Sequence, residues 1–141
     1  MVKPLSVVLG CLVVACGPNF AGTYSGTLAY AGPCTDGSSV STTATSSWAA
    51  TQAGSAVTAT FSGACSPLTW MAAGSVLTLQ GKSCPQTASG AWTFAETLND
   101  GRATLNGSSL DLVMHSTLVG TSAGGSATCN VTASGVLSLQ Q

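Results

Sequence analysis

The chain has 141 residues, 45% of them hydrophobic and only 5% charged, with a formal net charge of −1. Its ionic side chains are Lys3, Lys82 and Arg102 against Asp36, Glu96, Asp100 and Asp111, so no basic patch can form and nucleic-acid binding driven by counterion release is excluded. Strong helix formers such as Glu, Lys and Gln are scarce, and Ser and Thr interleave with Ala, Val and Leu, which disfavours a helical domain and reads as all-β.

Residues 1–15 read as a signal peptide. Lys3 supplies a minimal positive start, and residues 5–15 form an apolar run. A helix needs about 20 residues to cross a bilayer, so this run is too short to span, but it suits the apolar region of an export signal. The run ends Val13-Val14-Ala15-Cys16, which resembles the lipobox of bacterial lipoproteins: an aliphatic residue, a small or aliphatic one, Ala or Gly, then Cys. That resemblance implies cleavage before Cys16, a diacylglyceryl thioether on its sulfur, and attachment to a membrane through lipid. Val8-Leu9-Gly10-Cys11 is a poorer candidate, because cleavage there leaves an apolar run of only about five residues.

Residues 16–19 are then the lipidated cysteine and a short tether. Gly17, Pro18 and Asn19 reach at most about 10–14 Å, so the folded part is expected to rest against the membrane. The lipoproteins this site resembles commonly carry Asp after the lipidated Cys when kept at the inner membrane. Gly17 in that place implies the outer membrane, facing the periplasm or the cell surface. Removal of residues 1–15 from the 141 leaves 126, enough for one domain, expected over residues 20–141.

From Phe20 the apolar pattern has period two, the mark of half-buried strands. Phe20, Gly22, Tyr24, Gly26, Leu28 and Tyr30 share one face of a first strand. A second, over residues 40–52, carries Trp48 and Ala50 on one face. Gly54-Ser55 is a turn before Val57, Ala59 and Phe61. Leu68, Trp70 and Ala72 lead to a turn at Gly74-Ser75, and Leu77 and Leu79 follow. Trp92, Phe94 and Leu98 share a face before Asn99-Asp100-Gly101, which reads as a hairpin turn. Leu110, Leu112, Met114 and Leu118 alternate along a longer strand, residues 122–126 form a loop, and Cys129, Val131, Ala133, Leu137 and Leu139 end the chain. The expected architecture is an antiparallel β-meander of 8–10 strands closed into a small barrel. Closure would remove the edges that a domain so poor in Lys could not protect by charge. A β-sandwich is the alternative.

Of the six cysteines, Cys11 leaves with the leader and Cys16 takes lipid, so Cys34, Cys65, Cys84 and Cys129 remain. An even number in an exported chain implies disulfides. If Gly74-Ser75 is a two-residue hairpin turn, its register carries on to set Cys65 opposite Cys84, within disulfide range. Cys34 then pairs with Cys129, joining the end of the first strand to the last, as closure requires. Zinc is the alternative for these four, but they lack a C-x-x-C spacing.

Candidates for chemistry are few. His115 cannot reach Asp111, because four residues of strand span about 13 Å, and it reads as a surface histidine. No G-x-S-x-G nucleophile elbow occurs. Glu96 has the parity of Trp92, Phe94 and Leu98, so a carboxylate sits on an apolar face and needs a partner or a polar cavity. Arg102, across the expected turn at 99–101, is the obvious ion-pair partner; a polar anchor in a ligand pocket is the other reading. Tyr24, Trp48, Trp70 and Trp92 are the aromatic side chains that could line such a pocket with Glu96, or simply fill the core. Small inward residues such as Gly26, Thr42, Ala44, Ala59 and Ala72 allow either close packing or a cavity.

Gly22-Thr-Tyr24-Ser-Gly26-Thr, a Gln52-Ala-Gly-Ser-Ala-Val57-Thr hairpin and a Gly74-Ser-Val-Leu-Thr-Leu hairpin together resemble small lipocalin-like lipoproteins of Gram-negative, especially myxobacterial, genomes. The resemblance implies a lipocalin-like barrel and carries over no ligand residues. The expectation is a non-enzymatic, membrane-anchored module for a small apolar ligand, without metal or cofactor. The alternative is a structural or interaction protein of the envelope that contacts another protein or a glycan.

Overall fold

A computed structural model describes residues 17–141. The expected signal peptide and the lipidation site at Cys16 lie outside those residues. The described chain is all-β and antiparallel, with ten strands and no helix. They are β1 (Gly22–Pro33), β2 (Ser39–Ala53), β3 (Ala56–Thr60), β4 (Leu68–Ala73), β5 (Val76–Leu79), β6 (Lys82–Ser83), β7 (Thr87–Ser89), β8 (Trp92–Asn106), β9 (Ser109–Ser122) and β10 (Gly125–Leu139).

Alternation explains the burial. On β1, Tyr24 and Leu28 are buried while Thr23, Thr27 and Ala29 face water; on β9, Leu110, Leu112 and Met114 are buried between exposed neighbours. Phe20, Trp70 and Leu137 are wholly buried in one core with Trp48, Val57, Leu68 and Leu112. The turns at Gly54-Ser55 and Gly74-Ser75 have two residues each, as Ala53 pairs with Ala56 and Ala73 with Val76. The expected loop at 122–126 is tighter than read from sequence, because Ser122 already pairs with Gly125.

All ten strands belong to one sheet, and pairing runs β1–β2–β3–β4–β5–β8–β9–β10 and back to β1, a ring of eight strands. The ring is uneven. Five strands are 12–15 residues long, whereas β3, β4 and β5 have 5, 6 and 4. The closing contact between β5 and β8 holds only three residue pairs. The ring is therefore complete only at the end where residues 17–20 enter, beside the turns at 54–55, 74–75 and 107–108. Towards the other end β2 meets β3 only from Ala49 onward, which leaves residues 39–48 unpaired on that edge. Opposite them β8 carries only the short β6 and β7.

Both disulfides form as the register reading expects. Cys34 and Cys129 are bonded with Cα atoms 4.0 Å apart, and Cys65 and Cys84 with Cα atoms 4.7 Å apart. All four sulfurs are thus committed, and the zinc alternative falls. Both bonds lie towards the incomplete end of the ring.

The hairpin expected at Asn99-Asp100-Gly101 is wrong. β8 runs straight through it, and Asn99 is the extra residue of a bulge between the pairs Leu98–Ser116 and Asp100–His115. The turn lies instead at Gly107-Ser108, where Asn106 pairs with Ser109 and Gly107 takes a φ of 62°. Gly107 stands at the first of the two central positions and meets the positive-φ demand there. Bulging absorbs one residue and inverts the parity of everything after it. Gly101 and Ala103 point inward and Arg102 outward, the reverse of the sequence expectation.

Candidate functional site

The incomplete end of the ring encloses a cavity of about 370 Å³. Trp48 from β2, Phe61 from the segment after β3, Phe94 from β8 and Met114 and Leu118 from β9 supply apolar walls. Trp48 and Phe61 stack, with ring centroids 5.6 Å apart and planes at 24°. The Trp48 indole N–H donates to the Ser46 hydroxyl at 2.9 Å, so the tryptophan is satisfied without help from a ligand. Tyr30 and Glu96 add a phenol and a carboxylate to the hydroxyls of Thr45, Ser46, Ser62 and Thr87. Residues 62–65 and the Cys65–Cys84 bond form part of the rim.

Glu96 lies on β8 four residues after Trp92, upstream of the bulge, so its inward parity is kept. It is half-buried in the cavity wall. The expected ion pair with Arg102 does not form, because the bulge turns Arg102 to the outer face, opposite Val113 and Thr78. Among the described residues the one ion pair is His115 with Asp100, and the Glu96 carboxylate has none. Across the cavity, burial first and then the Glu96 charge push the Tyr30 phenol above its ordinary value. Lys82 spends its ammonium on two backbone carbonyls, those of Cys65 and Pro67, each at 2.9 Å.

The sequence-predicted aromatic set divides. Trp48 lines the cavity with Glu96. Tyr24 and Trp70 do not: they are 1% and 0% exposed and belong to the solid core below, with Trp70 tilted against Trp48 at 5.9 Å. Burial also raises the Tyr24 phenol. Trp92 is 40% exposed, stacks on Phe94 and lines a separate depression beside the Cys34–Cys129 bond. Phe94 and Leu118 are shared by the two hollows. Sequence reading missed Phe61 and Met114 as walls and Tyr30 as a polar contributor, although all three have inward parity. What it lacked was the gap between β2 and β8 that gives them a space to face.

His115 is exposed, as expected, but it has a partner the sequence reading did not assign. Its Nδ1 lies 2.5 Å from Asp100 Oδ1, on the outer face. Asp100 was expected in a turn; the bulge instead sets it directly across from His115. Thr132 faces His115 from β10, but no hydrogen bond joins them, and nothing there encloses a substrate. A groove of about 380 Å³ over Val113 and Val136 also lies on the outside of the sheet and contains no aromatic side chain.

No protein family, curated protein or solved structure matches this chain.

Proposed function

We propose that this chain is a lipoprotein of the cell envelope, anchored by lipid on Cys16, whose ring of strands works as a one-ended lipocalin-like barrel and holds a small apolar ligand without chemical conversion. The observation that carries this reading is the cavity of about 370 Å³ beneath the open end, walled by Trp48, Phe61, Phe94, Met114 and Leu118. Small-molecule sites are apolar concavities of about 300–1,000 Å³ with a few polar groups that fix orientation. Tyr30 and Glu96 fit that second role.

Chain direction adds a constraint. Gly17, Pro18 and Asn19 are exposed and enter beside Gln52, where the Phe20 N–H donates to Gln52 Oε1 at 2.8 Å. The cavity opens at the opposite end of β1 and β2. A lipid on Cys16 would hold the closed end against the membrane and turn the mouth to the aqueous side, so the ligand arrives from solution. The test is titration of purified protein lacking residues 1–16 with a neutral solvatochromic dye such as Nile red. Binding near one dye per chain, with quenching of tryptophan emission, is expected; no binding would refute the reading. Lipidation is tested by metabolic labelling with a fatty acid, which Cys16→Ser should abolish.

One observation favours the envelope-interaction alternative. Residues 39–48 present an open strand edge of mostly Ser and Thr with no charge, proline or bulge to blunt it, and such edges accept an added strand.

A further inference from the structure

We propose that the ligand is a small organic cation, an amine on an aromatic or aliphatic body, held by the Glu96 carboxylate with its apolar part against Trp48 and Phe61. This rests on the cavity being a binding site, and goes beyond it in fixing the sign of the ligand's charge.

The cavity wall contains one ionic group, Glu96, and no Lys, Arg or His. Glu96 is half-buried in that wall, where a carboxylate attracts a countercharge more strongly than in open water, and this chain has few to offer. Lys82 is bonded to the Cys65 and Pro67 carbonyls, Arg102 faces outward, and His115 is on the outer face with Asp100. None of the side-chain hydrogen bonds among the described residues uses the Glu96 carboxylate. Its charge is therefore left for something that enters.

Aromatic faces make the same choice of sign. Trp, Tyr and Phe rings attract cations through their quadrupole; the cavity lining includes four such rings, Trp48, Phe61, Phe94 and Tyr30, of which Trp48 and Phe61 stack on each other. Tyr30 stays a neutral phenol opposite the carboxylate, adding a hydroxyl without adding a second negative charge. Fatty acids, phosphates and other anions meet the opposite situation, a like charge with no cation in the wall to offset it. The expected occupant is an ammonium ion near Glu96 with a hydrocarbon or aryl body.

Three probes of one shape separate the alternatives: phenethylamine, phenethyl alcohol and 3-phenylpropionate, titrated calorimetrically at neutral pH. Wild type should bind the amine about tenfold or more tighter than the alcohol, and the propionate weakest. Glu96→Gln should bring the amine to within about threefold of the alcohol measured on the same variant. Equal affinity of wild type for amine and alcohol would overturn the proposal, as would an amine affinity indifferent to Glu96→Gln. Should that variant fail to fold, the wild-type amine-to-alcohol ratio alone decides. Uptake of Nile red without amine preference sinks the cation and spares the pocket, whereas failure of dye and amine alike sinks both.

Discussion

Gly32→Ala should be among the most damaging single-methyl additions in the molecule. A Cβ built on Gly32 would lie 1.7 Å from the Asn130 carbonyl oxygen on β10, and one on Gly26 would lie 2.2 Å from that of Val136. An ordinary contact needs roughly 3.3 Å or more, so β1 and β10 would have to part by about 1.5 Å at Gly32. Ladder hydrogen bonds near 2.9 Å do not survive that displacement. Losing about two of them, at about 1 kcal/mol each, and leaving their groups half-buried gives about 2–4 kcal/mol of destabilisation. Alanine returns only about 0.4–1 kcal/mol through the unfolded chain. Gly124→Ala is the control: its Cβ would meet only the Ser122 Oγ at 3.8 Å, and a change within about 0.5 kcal/mol is expected. Urea unfolding followed by circular dichroism measures both. A Gly32→Ala variant as stable as wild type would refute the close approach of these two strands.

The other predictions concern the crosslinks, the phenols and the core. Opening Cys34–Cys129, which spans 95 residues, should cost about 4–5 kcal/mol in the chain-entropy account, and Cys65–Cys84, which spans 19, about 3; paired Cys→Ala variants compared by urea midpoint check the order. Only the second bond lines the cavity, so only its loss should weaken ligand uptake directly. The raised Tyr30 phenol favours the protonated form in the folded state, so its contribution is complete below the ordinary tyrosine value of 10.0 and is lost as pH rises through the higher folded value. Glu96→Gln should bring one phenol's titration, followed by phenolate absorbance, to lower pH, and Tyr30→Phe should lessen the alkaline loss of stability. Trp70 is wholly buried with its indole N–H unpartnered. Trp70→Phe removes a donor costing about 1–3 kcal/mol while opening a void of similar cost, so thermal denaturation should show little change, against a loss of about 3–5 kcal/mol for Trp70→Ala.

Most of the strands were legible because period-two alternation survives any choice of neighbour. Tyr24 and Leu28, or Leu110 and Leu112, show their burial in the chain itself. The Gly74-Ser75 turn also carried long-range information, since its register extends to the disulfide between Cys65 and Cys84. What the sequence could not display was competition between two plausible turns. Asn99-Asp100-Gly101 and Gly107-Ser108 are both good hairpin signals locally; the second forms because it lets β8 run to Asn106 and pair with β9 along its length. The first becomes a bulge, which sends Arg102 outward, gives His115 its Asp100 partner and leaves Glu96 without an ion pair. The cavity was hidden for a related reason. It depends on β3, β4 and β5 being too short to line the full length of β2 and β8, a matter of tertiary pairing rather than of alternation.

The central claim is that the hollow under Trp48 and Glu96 is occupied in use. Native mass spectrometry of the protein purified from its host, without denaturation, measures this most directly. One small molecule per chain is expected, released on unfolding and absent from a variant whose cavity is blocked by Ala44→Trp. A mass from the host equal to the chain with its lipid anchor and nothing more, together with no uptake of neutral dye or amine, would contradict it.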